Sequence, residues 1–150
     1  QILQSDGRQF PIDVKWAKQL DWKSTRLQPL GIILRDRNLL VETMCVAIEN
    51  GVAQAPGRGD VLAFLPGVAE IRRVLQLLRE RNNLIGNVDV LPLYGALSKE
   101  EQDLALFPKP DSFQRVIVST PIAEASLTLE RVTCVVDSGL RREPRCDADT

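Results

Sequence analysis

From Asp60 to Asp137 the chain alternates short apolar runs with segments whose apolar residues recur at helical spacing. Val61 to Leu65 is a continuous apolar run, as a strand covered on both faces requires. Val68, Ile71, Leu75 and Leu78 then recur every three or four residues, with Glu70, Arg72, Arg73, Arg79, Glu80 and Arg81 off that stripe. Glu70 near the start and Arg79 and Arg81 near the end suit the dipole of such a helix. A second strand, Val88 to Leu93, leads to Ser98-Lys99-Glu100-Glu101, a capping-box pattern for a short helix that stops by Pro108. Arg115 to Ser119 and Val132 to Asp137 read as two more buried strands. Strand, helix, strand, helix, strand predicts an α/β fold, a parallel sheet flanked by helices and joined by right-handed crossovers.

Before Asp60 the pattern is less regular. Phe10, Ile12, Val14 and Trp16 are apolar and the residues between them are not, the period of a strand with one face buried. Asn38 is placed to cap a helix running to Asn50, and Gly51 to end it. Residues 17 to 35, with Trp22, Pro29 and Gly31, fit no element and read as an insertion or irregular connection. Ala55-Pro56-Gly57-Arg58-Gly59 reads as a plain loop.

Composition narrows the classes. A chain of 150 residues is the size of one ordinary domain with a real core. With 19 Lys and Arg against 20 Asp and Glu it is nearly neutral, so no strong electrostatic footprint for nucleic acid is visible. Residues 1 to 59 carry 8 basic and 6 acidic groups and residues 60 to 150 carry 11 and 14, so neither part is a basic arm. No apolar run approaches the roughly 20 residues that cross a bilayer, and the polar start lacks a signal-peptide pattern. A protein without membrane attachment, in an intracellular and cytoplasmic setting, is expected. Cys45, Cys134 and Cys146 lack metal-type spacing and read as reduced thiols, and the absence of histidine removes His-based catalysis and most zinc sites. No metal ligand set is assigned.

The chemistry concentrates between Val116 and Leu129, where an apolar strand runs into a polar turn with Thr120, Glu124, Ser126 and Thr128. Open α/β sheets place ligands at the carboxyl ends of their strands. Ordinary readings stand beside that one. Thr120 before Pro121 suits a helix N-terminus, Glu124 suits the dipole there, and Ser126 and Thr128 serve as local turn hydroxyls. Pro66-Gly67 reads as a turn, and a glycine there also admits a phosphate close to the backbone. Tyr94 reads as a core edge, and Arg141, Arg142 and Arg145 as a solvated basic loop or a phosphate-steering one.

Thr120-Pro121-Ile122-Ala123-Glu124-Ala125-Ser126-Leu127-Thr128 resembles motif V of the DEAH-box RNA helicases, T-N-I-A-E-T-S-L-T, at seven of nine positions. Asp6 to Val14 is similar to the family's G-R-x-F-P-V entry into the second motor lobe, Val61 to Ile71 to its motif IV, and Leu91 to Gln102 to its L-Y-x-x-L-x-x-x-x-Q element. The Leu65-Pro66-Gly67 form of motif IV and the residues after Ser138 are most similar to the bacterial HrpB-type branch. The resemblance covers about residues 6 to 20 and 60 to 150.

That resemblance implies a RecA-like, P-loop NTPase-type second helicase lobe spanning residues 1 to 150 as a single domain. It implies that Pro66, Gly67, Gly95 and Thr120 face the backbone of single-stranded RNA. Ser126, Thr128 and Glu130 would face the nucleotide across the lobe interface, and Glu124 would organise the motif. Pro121 and Ala125 depart from the family's Asn and Thr and remove donors. No G-x-x-x-x-G-K-[S/T] and no DEAH sequence occurs, and the family's arginine fingers are expected beyond Thr150. The parent protein is therefore expected to use ATP and Mg2+ together with its first RecA-like lobe, while the 150-residue chain carries no catalytic residue, binds no cofactor alone and does not hydrolyse ATP. The alternatives are a degenerate lobe that binds RNA or protein without hydrolysis, and an unrelated doubly wound signalling domain, for which an acidic pocket is missing.

Overall fold

The structure, a computed structural model, describes residues 11–15, 36–81, 86–121 and 128–140. Helix α1 spans Arg37–Gln54, β1 Asp60–Phe64, α2 Val68–Glu80, β2 Asp89–Leu93, α3 Lys99–Leu106, β3 Arg115–Ser119 and β4 Val132–Asp137. The four strands form one parallel sheet in the order β2-β3-β1-β4. The step from β1 to β2 and the step from β2 to β3 run in opposite directions along the sheet. Crossovers of one handedness then put α2 and α3 on opposite faces, which is where they lie.

Alternation along the strands divides the core accordingly. Val61, Ala63, Val90, Val116 and Val118 point to the face covered by α1 and α2, packing on Ile48, Ile71, Val74 and Leu78. Leu91, Leu93 and Ile117 point to the other face, where Ala105 of α3 and Leu129 meet them. Arg81, just past α2, ties the two helices of the thicker layer through Glu42 at 2.6 Å and Glu49 at 3.6 Å. The hydrogen bond to Glu42 raises the Arg81 pKa above its ordinary value. Burial between α1 and α2 pushes the Cys45 thiol up to about 12, so it stays protonated and unreactive near neutral pH.

Several expectations hold. The Ser98 hydroxyl accepts from the Glu101 amide at 3.2 Å and the Glu101 carboxylate accepts from the Ser98 amide at 3.0 Å, a complete capping box. Tyr94 packs against the larger core cluster. Asp137 closes β4, its carboxylate accepting from the Gly139 amide at 2.9 Å while Gly139 takes φ 71, a left-handed conformation suited to glycine.

Others are corrected. The cap of α1 is Asp36, not Asn38: its Oδ1 accepts from the Asn38 amide at 2.9 Å and the Leu39 amide at 3.3 Å. Gly51 does not end that helix but lies buried within it, where a Cβ would meet Cys134 Sγ at 3.2 Å and Val61 Cγ1 at 3.4 Å. The glycine serves close helix–sheet packing, and the helix stops at Ala55 ahead of Pro56. Glu70 is not on the solvated side of α2 but 4 % exposed, with Arg37 Nε 3.5 Å from its carboxylate. β4 is not buried on both faces. It lies at the edge of the described sheet, and its residues alternate between half-buried and exposed, Val135 being 57 % exposed. Residues 11–15 form no strand and lie exposed, because no described strand runs beside them to supply ladder partners. Phe10, Trp16 and the irregular stretch from 17 to 35 lie outside the described residues.

Candidate functional site at two edges of the sheet

All four strands end at one edge, and their ladders continue one step past it. The Leu65 amide donates to Ser119 O at 2.9 Å, the Thr120 amide to Leu93 O at 3.4 Å and the Ser138 amide to Phe64 O at 3.2 Å. Leu65, Tyr94, Thr120 and Ser138 are therefore fixed side by side, and the turns after them form a single row. Pro66 and Gly67 leave β1 there. Gly67 is the extended N-cap residue of the 13-residue α2, with no side chain capping the helix, so the first amides of α2 open toward this row.

Gly95 stands in the turn after β2, exposed, with nothing within 4 Å of the position of a Cβ. That turn is tight for a visible reason: the Leu97 amide donates to Tyr94 O at 3.2 Å, and the Gln102 side-chain amide donates to Leu97 O at 3.0 Å and Gly95 O at 3.4 Å. The Gln that ends the L-Y-x-x-L-x-x-x-x-Q element thus pins the loop that begins it. Thr120 is half-buried at the end of β3, its carbonyl accepting from the Ser119 hydroxyl at 3.0 Å. Pro66, Gly67, Gly95 and Thr120 are brought together as one backbone-lined, nearly uncharged row.

Thr128 and Glu130 are not part of it. β4 is parallel to β3, so the connection between them must return to the amino edge before β4 starts. The turn closed by the Val132 amide on Leu129 O lies there, and the Asp60 amide donates to Arg131 O at 2.7 Å. Both Thr128 and Glu130 are exposed at that opposite edge. The expectation that all the motif hydroxyls stand at the carboxyl end of the strand is corrected for Thr128. Glu124, Ala125, Ser126, Arg141, Arg142 and Arg145 lie outside the described residues, as does the helix expected to open at Thr120 and Pro121.

Around that amino edge is a polar network that the sequence reading missed. The Asp60 carboxylate, 0 % exposed, accepts from Arg115 through its backbone amide at 2.9 Å, Nε at 2.9 Å and Nη2 at 2.8 Å. Arg115 Nη1 turns away to the last carbonyls of α3, Leu104 O at 3.2 Å and Ala105 O at 3.0 Å. Arg131 Nη2 lies 3.5 Å from Asp60 Oδ1. The Gln114 amide bridges Val52 O at 3.1 Å and Gly59 O at 2.9 Å. A cleft of about 560 Å³ opens beside this network, lined by Arg58, Gly86, Asn87, Ser112, Phe113, Gln114 and Arg131, and none of the carboxyl-edge residues lines it. No signal within either partner's local sequence announces the Asp60–Arg115 pair, since 55 residues separate them.

Residues 40–148 match the helicase conserved C-terminal domain family. The chain belongs to that family. Among its relatives, the helicase domain is 37% identical over 151 residues to the ATP-dependent RNA helicase HrpB of Escherichia coli, covering 99% of this chain and 16% of that protein. It is 36% identical over 150 residues to the probable ATP-dependent RNA helicase DHX34 of Mus musculus, covering 97% of this chain and 12% of that one. A crystal structure of the Escherichia coli DEAH/RHA helicase HrpB superposes with a TM-score of 0.63 at 40% identity, covering 71% of this chain and 13% of the other. The domain is thus a RecA-like C-terminal lobe of the DEAH branch, and it spans about a sixth or less of the length of these relatives. No described helix is long and apolar enough to cross a membrane, and no group of three metal-binding side chains occurs among the described residues.

Proposed function

We propose that this helicase domain is the second motor lobe of an ATP-dependent RNA helicase that couples ATP hydrolysis to movement along, or unwinding of, RNA. The observation that carries the reading is the separation of two edges. Backbone and small residues at Pro66, Gly67, Gly95 and Thr120 form one row, and the exposed Thr128 and Glu130 stand across the sheet from it. A row of open amides and glycines suits a phosphodiester backbone read without sequence preference. A hydroxyl and a carboxylate at the other edge suit the phosphates and ribose of a nucleotide held against the first lobe. By the family resemblance, Ser126 also faces the nucleotide and Glu124 organises the motif. Mg2+ and the catalytic groups belong to the other parts of the parent helicase, so the domain alone hydrolyses no ATP and binds nucleotide weakly.

Ser126→Ala in the full-length helicase tests the coupling role. A neutral hydrogen bond is worth roughly 0.5 to 1.5 kcal/mol, so nucleotide affinity changes modestly while unwinding per ATP consumed falls. RNA-stimulated ATPase and duplex unwinding are measured on one preparation, with thermal melting as control. Equal losses of both activities with a lowered melting temperature would reduce Ser126 to a structural turn hydroxyl. Absence of both RNA-stimulated ATPase and unwinding from the unmodified parent would instead favour the non-catalytic binding lobe to which Pro121 and Ala125 point.

A further inference from the structure

Arg131, a half-buried turn residue, gathers an unusual number of polar contacts. Its guanidinium donates to the Ser112 hydroxyl, to Ser112 O at 3.2 Å and to Phe113 O at 3.2 Å, and it reaches Asp60 Oδ1 at 3.5 Å. These partners sit on two separate pieces of chain, the connection from α3 to β3 and the first residue of β1. Arg131 itself begins the approach to β4, one residue after Glu130. Asp60 is already held by Arg115, which is 3 % exposed and anchored on the end of α3. A single cation therefore ties the turn that presents Glu130 to a buried, immobile carboxylate and to a neighbouring loop.

We propose that Arg131 is a positioning residue for the nucleotide-facing turn: it fixes Glu130, and Thr128 behind it, against the α3–β3 connection. This rests on the reading of Glu130 as nucleotide-facing. A planar fork is required, since three acceptors on one loop and a fourth on β1 are reached from one head group, and a lysine supplies only a point charge. Leu129 gives the turn an apolar anchor in the core on the α3 side, and Arg131 gives it a polar one. Without the second anchor the turn keeps its place along the chain but loses its orientation. A displaced contact lowers affinity without removing the groups that react.

The test uses the full-length helicase with Arg131→Met, Arg131→Lys and Glu130→Ala. Equilibrium binding of a fluorescent ATP analogue, ATP KM, kcat and melting temperature are measured for each. The proposal expects Arg131→Met to raise Kd and KM by about three- to tenfold, the worth of about one hydrogen bond, with kcat within about twofold and melting little changed. Arg131→Lys should fall between Met and the parent, and it carries the test alone if Arg131→Met does not fold. A lowered melting temperature with Kd and KM unchanged would make Arg131 merely structural and overturn the proposal. So would a raised Kd in Glu130→Ala with none in either Arg131 variant. Unchanged Kd in all three would overturn the nucleotide-facing reading of Glu130 and this proposal with it.

Discussion

Asp60→Ala is expected to cost about 3 to 5 kcal/mol of folding stability, because it leaves the Arg115 guanidinium buried without a counter-charge. The cost does not come from the attraction alone. Both charges were taken out of water on folding, and removing one partner keeps the desolvation of the other. Asp60 also accepts the Arg115 amide at 2.9 Å, so the truncation leaves that amide, one residue before the first β1–β3 rung, without its acceptor. Replacing both residues, Asp60→Leu with Arg115→Met, should recover much of the loss, since an apolar pair of similar volume carries no stranded charge. Urea unfolding of the purified chain and of both variants measures this. A loss below about 1 kcal/mol for Asp60→Ala would show that water reaches the pair and that the amino edge is held in another way.

Thr120→Glu in the full-length helicase should weaken binding of single-stranded RNA by about tenfold at low salt, with nucleotide affinity nearly unchanged. Thr120 closes β3 in the row formed by Pro66, Gly67 and Gly95, where the reading places phosphates. A carboxylate a few ångströms from a phosphate costs on the order of 1 kcal/mol even when solvent screens it, and more where water is excluded. The defect should shrink as salt rises, because both the attraction of the track and the new repulsion are screened. Fluorescence anisotropy with a labelled oligonucleotide at two salt concentrations gives the comparison. An unchanged RNA Kd beside a raised ATP Kd would move Thr120 to the nucleotide side.

What the sequence revealed and what it hid divide by range. The capping box at Ser98 and Glu101 was legible because every atom in it lies within four residues. The strands β1 and β3 were legible because burial on both faces leaves no polar position between Val61 and Phe64 or between Val116 and Val118. Motif residues at Pro66, Gly67, Gly95 and Thr120 converge because parallel strands share their carboxyl edge, a property of topology and not of any one residue. Thr128 was misplaced for the same reason, since a parallel return to β4 carries it to the far side. Asp60–Arg115 and Arg131–Ser112 were hidden, because a pair between strands depends on their register, which one strand's sequence does not state. Glu70 and Gly51 were misread for a related cause: each is set by a partner surface, Arg37 for the one and β1 with β4 for the other.

The division of labour between the two edges is tested most directly by photocrosslinking from each. Gly95→Cys and Glu130→Cys are introduced separately into a full-length helicase freed of its other reactive cysteines, and each is labelled with a photoreactive maleimide. Both positions are exposed, and a side chain at 95 meets nothing within 4 Å. The account predicts that single-stranded RNA crosslinks from position 95 and only at background from position 130, with a labelled ATP showing the reverse. RNA crosslinking from position 130 as strongly as from position 95 would contradict it.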